Sequence, residues 1–171
     1  MLENKKFRSY PSTNQFRQIV KDIRSNAQFS GLDEDGNAIF DKDKKAPIIT
    51  FKGTVKLHGT NAGFTYDNVN GEVFQSRKNI ITVEKDNAAC AFMMNSRKEL
   101  FIELIKEIAE RNSIDLNEYG ITLFMELCGG NIQKGVAISG LPKMFVIFPH
   151  CKVFKINNDE ENVSYWLEVD E

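Results

Sequence analysis

The segment Thr54-Val55-Lys56-Leu57-His58-Gly59-Thr60-Asn61 gathers an amine, an imidazole, a glycine and short polar side chains within eight positions. A lysine that ends a strand and is followed by a glycine turn can act as a nucleophilic amine. The strand fixes its stem, and the turn lets a phosphate approach backbone groups. Such an amine must be neutral to attack. Free lysine has a pKa of about 10.4, so desolvation and nearby positive charge have to favour the uncharged form. By spacing alone, an ordinary hairpin carrying a surface lysine is the better reading of these residues. Metal chemistry is not suggested by the thiols: Cys90, Cys128 and Cys151 are odd in number and widely spaced, with no C-x-x-C pair. Free cysteines in a reducing compartment are the expectation.

The elements that must hold this segment are legible from periodicity. Phe16, Ile19, Val20 and Ile23 follow i, i+3, i+4, i+7 spacing, which predicts a helix with one buried stripe, capped by Ser12 or Thr13. Gly31 to Lys45 is polar and glycine-punctuated, a loop with a short hairpin around Asp35-Gly36. The period then changes to 2. Ile48 to Phe51, Gly53 to Lys56 and Ala62 to Tyr66 read as strands, and Asn70-Gly71 as the turn before Glu72 to Ser76, together an antiparallel meander. Ser96-Arg97-Lys98-Glu99 fits a capping box. It precedes a helix with an apolar face of Leu100, Phe101, Leu104, Ile105 and Ile108, ending near Asn112. In Gly120 to Leu127, alternation sets Ile121, Leu123, Met125 and Leu127 on one face and Thr122, Phe124 and Glu126 on the other. Strands at Met144 to Phe148, Cys151 to Ile156 and Val163 to Val169 complete an α+β fold rich in antiparallel strands, read as a single domain over residues 1–171. The helices do not alternate with strands as a Rossmann fold requires.

Composition agrees with one globular domain: 171 residues, 42% hydrophobic and 11% aromatic. The net charge of −2 provides no global basic field, so a polyanion would have to meet a local basic groove. Residues 1–24 hold six cations (Lys5, Lys6, Arg8, Arg17, Lys21, Arg24), whereas 156–171 hold six acids and no base. The acidic end reads as a solvated terminus. The apolar run Met144 to Pro149 is far short of the ~18 residues that span a bilayer, and Met1 to Lys5 lacks the apolar core of a signal peptide. A soluble cytosolic chain without membrane partners is expected.

Lys56-Leu57-His58-Gly59-Thr60-Asn61 closely resembles the K-x-H-G-x-N lysine motif of ATP-dependent RNA ligases of the phage T4 nick-sealing, double-stranded RNA type. Other landmarks appear in the family's order. Tyr10-Pro11-Ser12 resembles its N-terminal segment, and Gln75-Ser76-Arg77-Lys78 the motif with an essential arginine. Phe124 to Gly130, continued by Ile132 to Val136, resembles the acidic strand motif and its loop, and Met144 to Phe148 the adenine-stacking strand. The resemblance implies a nucleotidyltransferase adenylation domain, ATP-grasp-like in architecture, that uses ATP and Mg2+. Lys56 would take AMP from ATP, the AMP would pass to an RNA 5′-phosphate, and a 3′-hydroxyl would displace it to seal the strand, a nicked duplex being the substrate in view. Arg77 would neutralise phosphates, Glu126 accept from the ribose hydroxyls, and Phe148 stack on adenine with Phe145 its competitor. His58, Gly59 and Asn61 match positions that support the nucleotide or the nick, and Lys134 is either a phosphate contact or a solvated cation. No residue is assigned as a metal ligand. A bacterial cytosol or phage-infected host is implied as the setting.

Three departures qualify the match. Val55 stands just before the nucleophile, where close relatives can carry a glutamate, so base contacts there fall to backbone groups. Pro149 follows Phe148 where an aspartate is usual. Two downstream motifs, an acidic metal-holding one and a final lysine pair, have no counterpart in the 23 residues after Phe148. The expectation is therefore an adenylation domain incomplete at its C-terminus, or alternatively a non-catalytic nucleotide- or RNA-binding remnant. Lys56 could then be present and still work poorly, since removing a preorganised cation from a phosphoryl-transfer site costs several kcal/mol of barrier.

Overall fold

Alternating apolar residues, punctuated by turn formers, build an antiparallel sheet of six strands. The computed structural model describes residues 6–12, 14–51, 53, 55–86, 88–130, 132–156 and 163–169. Two compact units emerge, residues 1–10 with Lys56–Glu171, and Pro11–Val55.

In the larger unit, strands β3 (Gly59–Asp67), β4 (Gly71–Ser76), β5 (Ile80–Ile81), β6 (Tyr119–Cys128), β7 (Met144–Lys155) and β8 (Ser164–Glu168) form a six-stranded sheet of order β5-β4-β3-β6-β7-β8. Every neighbouring pair is antiparallel. The β3–β4 turn is closed by Asp67, whose Oδ1 accepts the N–H groups of Val69 and Asn70, with Gly71 at φ +70° taking the left-handed step.

One face of β6 carries Ile121, Leu123, Met125 and Leu127, all fully buried. Helix α3 (Lys98–Arg111) lays Phe101, Ile105 and Ile108 on this core, and α2 (Cys90–Ser96) adds Met94. Each such side chain contributes roughly 1.5–3 kcal/mol through burial. The opposite face is covered as well. The hydroxyls of Thr65 and Thr122 bond at 2.8 Å, and Gln75 brackets the backbone of Arg8, accepting its N–H and donating to its carbonyl. The Arg8 guanidinium lies 3.9 Å from the centre of the Phe154 ring. Burial lowers the Arg8 pKa, and Asp67 opposes that shift. Tyr10 then meets Phe124, Phe148 and Trp166 edge-on at 5.1, 5.0 and 5.5 Å.

Several local expectations change. The two strands expected at Met144–Phe148 and Cys151–Ile156 are one, because β7 runs through Pro149. Met125 pairs with Ile147 but Leu123 with Cys151, so β7 bulges around Phe148, Pro149 and His150, a position that tolerates a residue without an N–H. The capping box does not form. Ser96 closes the last turn of α2, its hydroxyl donating to the Met93 carbonyl, and Arg97 precedes α3 without a side-chain cap. Helix α2 itself is absent from the periodicity reading; Asp86 starts it by accepting the N–H groups of Ala91 and Phe92.

The smaller unit holds α1 (Phe16–Gln28) and the hairpin β1 (Phe29–Leu32) with β2 (Ala38–Phe40), which realises the turn expected at Asp35-Gly36. The expected buried stripe on α1 is absent. Phe16 is 63% exposed and Val20 37%, and no described residue of this unit is buried, since 45 residues with one helix and one short hairpin enclose no core. Gln15 precedes α1 without a side-chain bond, so Ser12 is not its cap; Thr13 lies outside the described residues. The strands expected at Ile48–Phe51 and Gly53–Lys56 do not form among the described residues, with Thr54 outside them. Among the described residues no strand pairs with this stretch, and Ile48 and Val55 are 101% and 86% exposed.

The three cysteines are free and buried. Burial, with Asp86 adding, pushes the Cys90 thiol from 9.0 up to about 12; burial also raises Cys151, and burial with Glu126 raises Cys128. The folded state thus keeps protons that the unfolded chain releases. Stability present below about pH 9 is lost as pH rises toward 12. Urea midpoints should fall over that window and fall less in Cys90→Ala, while a thiol reagent at pH 8 should label the native protein only on unfolding.

Candidate functional site

Lys56 does not end a strand. It lies on irregular backbone before β3 and is exposed, as is His58. Val55, in the smaller unit, is also exposed. Order begins at Gly59, where a Cβ would stand 2.2 Å from the Leu127 carbonyl oxygen and 2.9 Å from the Cys128 Cβ. Only glycine lets β3 approach the end of β6 this closely.

From there the register assembles a row across the sheet. Asn61 pairs with Glu126, and Glu126 with Val146. The Asn61 amide nitrogen donates to Glu126 Oε2 at 3.1 Å, so the carboxylate is held from the neighbouring strand. Glu126 is half-buried and shares its sheet face with Thr122 and Phe124. Ser76 pairs with Ala62 at the end of β4, and Arg77, the next residue, is exposed in the bend before β5.

The loop after β6 folds back on this row. Gly129 and Gly130 turn it at φ +78° and +51°, and the Gly130 N–H donates to the Leu141 carbonyl at 2.7 Å. Gln133 Nε2 then donates to the Gly59 carbonyl at 3.1 Å, which ties the loop to the start of β3, and Lys134 beside it is exposed. Lys143 anchors the other end of the loop, donating to the Ala88 carbonyl at 2.9 Å.

The two candidate aromatics part company. Phe145 faces the helix side, 5.8 Å from Phe101, whereas Phe148 faces Tyr10 on the side that carries Phe124 and Glu126. The row therefore offers an acceptor on a rigid strand and an aromatic ring on the same face, while Lys56, Arg77 and Lys134 are exposed cations on the segments next to β3, β4 and β6. An acceptor, a ring and cations are the chemical types that sugar hydroxyls, a base and phosphates take up.

A family model described as RNA ligase matches residues 49–171. The chain belongs to the RNA ligase family. No curated protein matches the chain. The matched span of this RNA ligase family member includes the Lys56–Asn61 segment, Arg77, Glu126 and Phe148, and leaves out α1 and Tyr10.

Among the described residues no group of three His, Cys, Asp or Glu is placed to hold a metal ion. Two contacts of this RNA ligase domain lie beyond sequence reasoning: Tyr10 against Phe148, and Gln133 on the Gly59 carbonyl. The Tyr10 segment and the Gln133 loop both stand out as motifs, but their partners are 138 and 74 positions away, where no local pattern points.

The Asn61–Glu126 bond makes a separable prediction. Asn61→Ala leaves a half-buried carboxylate without its donor and should cost about 1–2 kcal/mol. Asn61→Asp instead sets two carboxylates side by side and should cost more than Asn61→Ala at neutral pH. Urea denaturation of both variants checks this.

Proposed function

We propose that this chain is the adenylate-forming domain of an ATP-dependent RNA ligase of the nick-sealing type, with a nucleotidyltransferase, ATP-grasp-like architecture and Lys56 as nucleophile. The observation that carries the reading is the Asn61–Glu126 bond: an acceptor fixed on β6 by the strand that begins three residues after Lys56.

In this reading ATP binds with its ribose hydroxyls on Glu126 and its base against Phe148. Arg77 and Lys134 face the phosphates. Lys56 Nζ, having lost its proton, attacks the α-phosphorus; a P–N bond forms, the bond from that phosphorus to the bridging oxygen breaks, and pyrophosphate leaves. An oxygen of an RNA 5′-phosphate then attacks the same phosphorus and frees the lysine. A 3′-hydroxyl finally attacks the 5′-phosphate, displacing AMP as the strand closes. Magnesium would add positive charge on the phosphates when bound with the nucleotide; no residue is assigned to hold it and no step depends on it. No helix among the described residues is long and apolar enough to cross a membrane, which accords with action on RNA in the cytosol of a bacterium or an infected host.

Incubation with magnesium and α-labelled ATP tests the proposal. Amine-linked label on Lys56 is expected, stable to alkali and released by acid as a P–N bond to phosphorus requires. ATP protection against heating without any covalent label would replace the ligase reading with that of a nucleotide-binding remnant.

A further inference from the structure

Helix α1 carries a feature that the adenylation site does not use. At 3.6 residues per turn, Arg17, Lys21 and Arg24 fall within an arc of roughly 60°, about 100° around the helix from the apolar positions Phe16, Val20 and Ile23. All three cations are exposed, and none makes an ion pair among the described residues. The one acid of the helix, Asp22, lies on the far side and accepts a hydrogen bond from Gln18 at 2.7 Å. In a chain of net charge −2, this is an uncompensated cationic edge about 10 Å long, given a rise of about 1.5 Å per residue.

We infer that the Arg17–Lys21–Arg24 edge of α1 grips the phosphate backbone of the RNA substrate, as a contact additional to the site around Lys56. A nucleic-acid duplex carries about one charge per 1.7 Å of axis, so an edge of this length faces several phosphates. The inference rests on RNA being the substrate of this RNA ligase family member, and not on the chemistry assigned to Lys56. A basic helix with an apolar stripe also suits an anionic membrane surface. RNA is favoured because the family acts on it.

The experiment measures binding of the whole chain to a nicked RNA duplex bearing a 5′-phosphate, without ATP, over a salt series. The triple variant R17Q/K21Q/R24Q is compared with K42Q/K45Q, which removes exposed charge from the same unit. Circular dichroism checks that each variant is folded. Loss of about three phosphate contacts should flatten the slope of log K against log salt by roughly 2–3 and weaken binding about 10- to 100-fold at 0.1 M salt. The K42Q/K45Q variant should change the slope by less than 1, and α-labelled ATP should label Lys56 equally in all three proteins. An unchanged slope, an equal loss per charge in K42Q/K45Q, or a triple variant that binds RNA normally but loses binding to phosphatidylserine vesicles would each overturn the inference. A wild-type chain that takes label but binds no RNA would also overturn it, and leave the Lys56 assignment standing. Absence of label with intact, slope-dependent RNA binding would do the reverse.

Discussion

Lys56→Arg should abolish covalent labelling by α-labelled ATP, with a drop of at least about 1,000-fold, while leaving the fold and most of the nucleotide affinity in place. The side chain is exposed and makes no hydrogen bond or ion pair among the described residues, so replacement should change stability by no more than about 0.5 kcal/mol. Arginine keeps the positive charge that a triphosphate would meet. It cannot supply the nucleophile, because a guanidinium stays protonated above pH 12 and its charge is delocalised. Binding and chemistry thus separate in one variant: ATP should still raise its melting temperature, and the label should be missing. Full labelling of Lys56→Arg would move the nucleophile elsewhere, with the exposed Lys134 first to be tried. Loss of both label and protection would make position 56 a binding residue only.

What the sequence shows of this molecule depends on the range over which each feature is decided. Strands β3, β4 and β6 and helix α3 arise from patterns shorter than fifteen residues: Asn70-Gly71 at a turn, alternation through Leu127, an apolar stripe through Ile108. Burial then agrees with the pattern, because Phe64, Leu123 and Ile105 find each other across one core. Where the outcome is set by something distant, local pattern fails. Ile48 to Phe51 alternates well enough for a strand but has no partner strand to pair with among the described residues. Ser96 has the right company for a cap, yet an unrecognised helix in front of it claims its hydroxyl. Pro149 should stop a strand, and a bulge against β6 carries the strand past it.

The candidate site divides in the same way. Residue types at Lys56, Asn61, Arg77 and Glu126 are readable from motif order, whereas the Asn61–Glu126 bond spans 65 positions and exists only through the β3–β6 register. Sequence pattern sets position 56 on a rigid strand; the fold sets it before one. The lysine is therefore positioned from its C-terminal side, by Gly59 and by the Gln133 amide that holds the Gly59 carbonyl.

Gly59→Ala tests that dependence most directly. The new methyl group would fall 2.2 Å from the Leu127 carbonyl oxygen and 2.9 Å from the centre of that carbonyl's carbon, both backbone atoms with no rotamer to give way. Relief requires β3 and β6 to separate at the Gly59–Cys128 pair, which should cost about 2–4 kcal/mol and lower the urea midpoint accordingly. Gly140→Ala is the matched control: its Cβ would meet nothing within 4 Å and its backbone needs no positive φ, so it should be neutral within about 0.5 kcal/mol. The displacement begins two residues from Asn61, so the Asn61–Glu126 bond cannot keep its 3.1 Å geometry. Labelling by ATP in Gly59→Ala should then fall at least tenfold below that of Gly140→Ala at a temperature where both are folded, since small misplacements of positioning groups carry losses of this size. Equal labelling would mean that the start of β3 does not set the geometry of the lysine, and that the amine is positioned by contacts made only when nucleotide is bound.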